Sequence, residues 1–188
     1  LLVSEGVGEV KVQSISDRLG VSRSSFYWYF ESRQDLLDAL LAQWEQTNTG
    51  QLIAHAEMPA TTITEAVCNT ARCWVDTALF NHKLDFAIRE WARRDGAVRR
   101  VIDQTDATRV EAFSAMFERF GYAPDEAEVR ARVMYFMQVG YYALELSEPL
   151  EARMKRVHDY VLTFTGKAPR PQEVEALVAY AMKANARA

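Results

Sequence analysis

Apolar residues recur every three or four positions along most of the chain, which is the spacing of helices that bury one face. No segment of useful length alternates apolar and polar residues, and no repeat is present, so the sequence predicts an all-α protein. After an N-terminal pair of short helices, the pattern predicts further helices at residues 32–56, 62–78, 83–94, 97–120, 124–146, 149–165 and 173–184.

The N-terminal pattern predicts a helix-turn-helix. Residues 12–19 have helical spacing and are ended by Gly20, as is common at the position after a helix. Ser22 is placed to cap a second short helix, in which Phe26 and Phe30 lie four apart as a buried anchor. Two short helices joined by a glycine-containing turn are typical of this motif.

Three aromatic residues in that second helix, Tyr27, Trp28 and Tyr29, cannot all share the buried face. Some of these rings must meet solvent or a partner, and we expect the partner to be nucleic acid. The alternative is that they pack against the helix that follows Ser32.

Composition and charge narrow the possible classes of protein. Hydrophobic residues make up 49% of the chain, which allows a sizeable core, and no apolar run is long enough to span a membrane. The net charge of −4 argues against nonspecific nucleic-acid coating, although residues 11–33 carry +2. Two closely spaced cysteines, Cys68 and Cys73, indicate free thiols in a reducing cytoplasm. The opening segment, residues 1–6, is typical of a last helical turn closed by glycine, so we expect upstream residues.

The N-terminal 40 residues resemble the TetR family of transcriptional regulators. The resemblance is carried by Ile15-Ser16-x-x-Leu19-Gly20-Val21-Ser22-x-x-x-Phe26-Tyr27-x-Tyr29-Phe30-x-Ser32-Arg33-x-x-Leu36-Leu37. It implies a helix-turn-helix three-helix domain, which we place at residues 1–45. It also implies a larger helical effector-binding and dimerisation domain, which we place at residues 46–188.

The motif and the resemblance together assign DNA contacts. The second helix of a helix-turn-helix lies in the major groove, where its first residues meet base edges. The predicted base-reading residues are Gln13, Arg23, Ser24, Ser25 and Trp28, and the predicted phosphate contacts are Tyr27, Tyr29 and Arg33. The sequence departs from the family pattern at Ser16, where alanine is common, and at Lys11, where a threonine cap is common.

Two further sets of residues are predicted in the helical body. The candidate ligand pocket comprises Trp74, Phe86, Arg89, Trp91, Phe113, Phe117, Met134, Gln138 and Tyr142, with plain core as the alternative for the aromatic residues. The candidate dimer interface comprises Val133, Met137, Gly140, Tyr141, Leu144, Met154, Val157, Val161 and Phe164, with packing inside the subunit as the alternative.

No phosphate loop, nucleophile motif, paired catalytic carboxylates or metal-binding spacing is present, so we expect neither an enzyme nor a cofactor or metal. The sequence predicts a ligand-responsive regulator, most simply a homodimeric repressor. A small, largely apolar or aromatic effector would release it from a palindromic double-stranded DNA operator. An effector-independent DNA-binding regulator is the first alternative, and a helical enzyme that carries the motif is the second.

Overall fold

The computed structural model describes residues 1–146 and 148–187. It is 76% helical, and no strand occurs within those ranges, which confirms the predicted all-α class. The α-helices in chain order are α1 (Leu2–Glu5), α2 (Val12–Leu19), α3 (Arg23–Phe26), α4 (Arg33–Trp44), α5 (Gly50–Glu57), α6 (Ile63–Val75), α7 (His82–Ala92), α8 (Gly96–Arg119), α9 (Pro124–Ala143), α10 (Leu150–Met154), α11 (Val157–Thr165) and α12 (Pro171–Asn185).

Polar caps determine where several helices begin. Ser32 Oγ accepts a hydrogen bond from the Asp35 N–H at 3.1 Å, and Thr62 Oγ1 accepts one from the Glu65 N–H at 3.0 Å. Asp95 likewise accepts from two N–H groups in the first turn of α8. Such caps satisfy N–H groups that have no partner within the helix, and removing one typically destabilises a protein by about 1 kcal/mol.

Three helices differ from the prediction. The helix after Ser32 does continue to residue 57, but a π-helical segment, Glu45–Thr49, lies between α4 and α5. The single late helix predicted through residues 149–165 is two helices, α10 and α11. The second helix of the helix-turn-helix, α3, ends at Phe26, so the three aromatic residues lie in the turn that follows it.

The buried apolar residues form two clusters. The larger lies within the body, among α5, α6, α8, α9, α11 and α12, and includes Phe113 and Phe117. The smaller joins the N-terminal helices to α7 and the start of α8, and contains Leu37, Trp44 and Ile88. Full burial of a side chain of this size contributes roughly 1.5–3 kcal/mol. The second cluster therefore attaches the helix-turn-helix firmly to the body.

A buried carboxylate anchors the end of α4 to the body. Asp85 Oδ1 accepts from Trp44 Nε1 at 2.9 Å and lies 3.0 Å from Arg109 Nη1, while its Oδ2 accepts from Arg89 Nε at 2.9 Å. Burial by itself would raise the pKa of Asp85, but the two guanidinium groups hold that pKa below its usual value. The carboxylate is therefore ionised and fully paired inside the protein.

Candidate DNA-binding surface and ligand cavity

The turn between α2 and α3 requires a glycine. Gly20 adopts a left-handed conformation, with φ 67° and ψ 32°, which residues with a Cβ rarely adopt. The Val21 N–H then donates to the Ser16 carbonyl at 3.0 Å, closing the end of α2. Ser22 caps α3, its Oγ accepting from the Ser25 N–H at 3.3 Å. The turn thus delivers α3 to the surface in a defined orientation.

The aromatic turn after α3 presents its rings to solvent. Trp28 is 86% exposed, Tyr29 83% and Tyr27 52%, whereas Phe26 is only 6% exposed. Tyr27 packs its ring edge-on against Phe26, with the ring centroids 5.3 Å apart. Trp28 and Tyr29 are therefore too exposed to be packed against α4, and contacts within the protein do not account for these two rings.

The predicted base-reading residues fall into two groups. Arg23 is exposed and makes no ion pair with any residue of the described ranges, as expected of a group available to DNA. The Ser24 and Ser25 hydroxyls lie 2.7 and 2.9 Å from Ser22 Oγ, and Gln13 Nε2 donates to Asp17 at 2.6 Å. These three side chains would have to exchange an internal hydrogen bond to contact a base.

The structure gives Arg33 a different task from the predicted phosphate contact. Its Nε donates to the Val10 carbonyl at 2.6 Å and its Nη2 to the Val7 carbonyl at 2.7 Å. The Val7 carbonyl also accepts from the Val10 N–H in the 3-10 turn Val7–Glu9, and Val10 is the residue after that turn. Arg33 therefore links the segment before α2 to the start of α4 through two of its five N–H donors.

An apolar cavity lies in the body between α6, α9, α11 and α12. Its volume is about 70 Å³ and it is partly open to solvent, and its walls include Trp74, Val161 and Leu177. Gln138 also lines it and is 6% exposed, and its Nε2 has no hydrogen-bond partner. Two members of the predicted pocket, Trp74 and Gln138, thus share this cavity.

The other predicted pocket residues lie elsewhere. Phe86, Trp91 and Tyr142, together with Trp74, border a wide groove between the N-terminal segment and the body. Phe113, Phe117 and Met134 are completely buried in the larger core and line neither space, so the plain-core alternative describes them. Their helical spacing indicated a buried face, but it could not show which part of that face lines a cavity.

Arg89 does not line the cavity, because it belongs to the buried ionic network. Its Nη1 and Nη2 donate to the two oxygens of Asp106 at 2.9 and 2.6 Å. The Tyr135 hydroxyl donates to the same carboxylate at 2.6 Å and accepts from Arg109 Nη1 at 3.0 Å. With both partners in place, Arg89 is a structural cation that links α7, α8 and α9.

Sequence reasoning missed most of the cavity lining. The lining residues that the sequence did not single out are Val67, Ala71, Val75, Arg153, Arg156, Tyr160 and Leu177. The apolar members carry the same helical spacing as ordinary core. No local pattern distinguishes the two arginines from solvated charges.

The predicted dimer-interface residues on α9 are exposed or partly buried, whereas those on α10 and α11 are buried. Val133 and Leu144 are 47% and 71% exposed, while Met137, Gly140 and Tyr141 are partly buried. The four residues from α10 and α11 are covered by the subunit's own core and cannot meet a second copy in this conformation: Met154, Val157, Val161 and Phe164, at 9%, 7%, 2% and 4% exposure. For these four the intramolecular alternative holds.

An exposed apolar stripe on α9 is the better candidate interface. Val129, Val133 and Phe136 are 59%, 47% and 49% exposed and recur at helical spacing, with Gly140 next along the same line. A Cβ added to Gly140 would meet nothing within 4 Å. No close contact within the subunit therefore requires a glycine at this position.

Several other features bear on function. No grouping of His, Cys, Asp and Glu within residues 1–146 and 148–187 is arranged to hold a metal ion. None of the described helices combines the length and apolar character that crossing a membrane would require. Cys68 and Cys73 are buried free thiols, and burial raises the pKa of each to about 12, so both are unreactive near neutral pH.

Comparison with known proteins identifies the N-terminal domain. No curated protein matches the chain significantly. Residues 1–40 match the family model described as bacterial regulatory proteins, tetR family. Those residues contain α1 to α3, the glycine turn, the exposed aromatic rings and most of α4. Together, the match and the helix-turn-helix geometry identify residues 1–40 as a DNA-binding domain of the tetR-family type, which indicates a DNA-binding transcriptional regulator.

Proposed function

We propose that the protein is a homodimeric repressor that a small, largely apolar effector releases from a palindromic DNA operator. The carrying observation is the apolar cavity with a buried, unpartnered Gln138 amide, in a body that shares a core with the helix-turn-helix. In this proposal, residues 1–45 bind DNA, and the rest of the chain binds the effector and the second subunit.

The expected DNA contacts are those of two recognition segments in successive major grooves, about 34–36 Å apart. Arg23 and Trp28 would face base edges, and the Tyr27 and Tyr29 hydroxyls would contact phosphates. Their exposure and lack of engagement within the described residues support these roles. Arg33 would support the surface mainly by positioning α2.

The effector would act through α9, which lines the cavity and contacts α7, a helix of the smaller buried cluster. Tyr135, Gln138 and Tyr142 lie on one side of α9, and Tyr142 stacks on Phe80 and His82 at the entrance to α7. α7 in turn packs against the N-terminal helices. A ligand that binds one arrangement of α9 more tightly would shift the spacing of the recognition segments, by no more than its differential affinity.

The effector response is tested with the full chain and double-stranded DNA selected from a random library. Fluorescence anisotropy measures DNA binding, and thermal unfolding measures binding of a panel of one- and two-ring aromatic and medium-chain aliphatic compounds. We expect a compound that raises Tm to weaken DNA binding by at least about fivefold. If compounds bind and DNA affinity never changes, the protein is an effector-independent regulator instead.

The interface is tested by Gly140→Leu. Because space surrounds this glycine within the subunit, we expect the subunit fold to be retained and the helix to gain up to about 1 kcal/mol. A bulky side chain in the α9 stripe should nevertheless shift the dimer toward monomer in sedimentation at low concentration. Ala176→Leu, at an exposed position of α12, is the matched control and should sediment unchanged. An unaltered dimer in Gly140→Leu would contradict the proposed interface.

A further inference from the structure

The apolar cavity contains donors that nothing in the described protein satisfies. Gln138 Nε2 is buried and unpartnered, although the amide lies near the Tyr142 hydroxyl without a hydrogen bond of acceptable geometry. Arg156 also lines the cavity, and its buried Nε lacks a partner as well. Buried polar groups are normally paired, so two orphaned donors in the lining of one cavity indicate a missing acceptor.

The charge around the cavity is positive. Arg153 and Arg156 are the charged residues in its lining, and no carboxylate accompanies them there. Arg156 Nη2 donates to Glu148 at 2.6 Å, which balances one of the two cations. Arg153 stacks its guanidinium 4.6 Å from the centre of the Tyr141 ring and makes no ion pair within the described ranges. Arg153 also lies near enough to Glu148 to help lower the pKa of that carboxyl, so one carboxylate faces two cations at the cavity.

The remaining lining residues indicate the chemical character of the ligand's skeleton. The walls are almost entirely apolar and include the aromatic rings of Trp74, Tyr160 and Phe164. An aromatic or aliphatic skeleton would bury its surface against them, as in ligand pockets generally. A cationic amine would add to an excess of positive charge, because Glu148 is already paired with Arg156. A plain hydrocarbon would leave both donors unsatisfied.

We propose that the effector is a small apolar acid, whose carboxylate accepts from Gln138 and Arg156 and supplies the counterion of Arg153. This inference rests on the proposed effector function and adds the chemical class of the ligand. Charge-assisted hydrogen bonds are roughly twice as strong as neutral ones, which favours the acid over its neutral amide.

The test measures binding of matched compounds to the full chain by isothermal titration calorimetry. The probes are 2-naphthoate and octanoate, their primary amides, and 2-naphthylmethylamine with octylamine. We expect at least one acid to bind about tenfold more tightly than its amide, and both amines to bind least. Equal binding of acid and amide, stronger binding of an amine, or no binding by either acid would overturn the proposal.

Variants locate the carboxylate. Arg153→Gln should weaken acid binding about tenfold and leave amide binding nearly unchanged, because it removes the cation but keeps a polar side chain. Gln138→Leu should weaken both acid and amide, and its thermal unfolding reports whether it folds. Arg132→Gln, on an exposed part of α9, is the matched control and should alter neither. Unchanged acid binding in Arg153→Gln would overturn the assignment whatever the behaviour of Gln138→Leu.

The two proposals fail in different ways. Acid that binds to this cavity without changing DNA affinity would refute the effector response and leave the ligand class standing. Release of DNA by an amine or a neutral compound, with no acid bound, would refute the ligand class and leave the effector response standing.

Discussion

Two arginine–aromatic clusters, built from the same residue types, lie in opposite environments. In the first, Arg23 precedes an exposed run of tyrosine and tryptophan rings next to α3. In the second, Arg109 is completely buried, with its guanidinium 5.2 to 6.0 Å from the ring centres of Trp44, Phe80 and Tyr135. Composition cannot separate the two clusters, but burial and ion pairing do.

The difference shows where each cluster obtains its stabilisation. Arg109 has a carboxylate partner in Asp85 and hydrogen bonds to Thr49 and Tyr135, so its charge is compensated inside the protein. Arg23 has no such partner within the described residues, and its neighbouring rings leave apolar surface in water. The buried cluster stabilises the fold, whereas the exposed cluster is accessible to a partner, as the proposed DNA contacts require.

Breaking the buried cluster should have the largest effect. Asp85→Leu leaves Arg109 buried without its carboxylate and removes the acceptor of Trp44 Nε1. Loss of one member of a buried ion pair typically destabilises a protein by about 3–5 kcal/mol, which we expect to see in urea unfolding followed by circular dichroism. The double variant Asp85→Leu/Arg109→Met should recover much of the loss. A single variant as stable as the parent would show that the cluster is not what holds α4 to the body.

Changing the exposed cluster should affect binding and spare stability. We expect Arg23→Ala to weaken DNA binding by about 1–3 kcal/mol and to relax preference at one base pair. Because the side chain is exposed and unpaired within the described residues, the free energy of unfolding should stay within about 0.5 kcal/mol. Anisotropy titrations against selected and scrambled DNA measure the first quantity. Equal weakening on both DNAs would make Arg23 a phosphate contact instead of a base reader.

Arg33 lies between these two extremes. Arg33→Ala removes donors from the Val7 and Val10 carbonyls, so we expect a loss of about 1–3 kcal/mol in stability. DNA affinity should fall on all sequences alike, because α2 is displaced. Arg33→Lys, which keeps the charge but not the two-pronged geometry, separates the roles. If lysine restores DNA binding and its salt dependence fully, the originally predicted phosphate contact is correct.

The sequence predicted local structure well because caps and turns are encoded locally. Ser22, Ser32 and Thr62 indicated the starts of helices, and each caps a helix in the structure. Gly20 indicated the end of α2, where it adopts the left-handed conformation. Long-range partners carry no such signal. Nothing near Arg109 indicates that a carboxylate 24 residues earlier will meet it.

The same limit explains the misplaced pocket and interface residues. The apolar stripe through α10 and α11 showed that one face is covered, but not whether the cover comes from the same chain or from a second copy. The structure shows that the subunit's own α6, α9 and α12 cover it, and that Val129, Val133 and Phe136 remain exposed instead.

The smallest expected effect concerns a single atom beneath the exposed cluster. Ser16 stands where the family commonly has alanine, and its Oγ is buried with no hydrogen-bond partner. Because an unsatisfied buried hydroxyl costs about 1 kcal/mol or more, we expect Ser16→Ala to stabilise the protein by about 1 kcal/mol in urea unfolding. Ser14→Ala, two residues earlier in the same helix, should change stability less. If Ser16→Ala instead destabilises the protein and weakens DNA binding, the hydroxyl holds α2 in position through a bound water. Apolar packing alone would then not explain the orientation of the exposed rings.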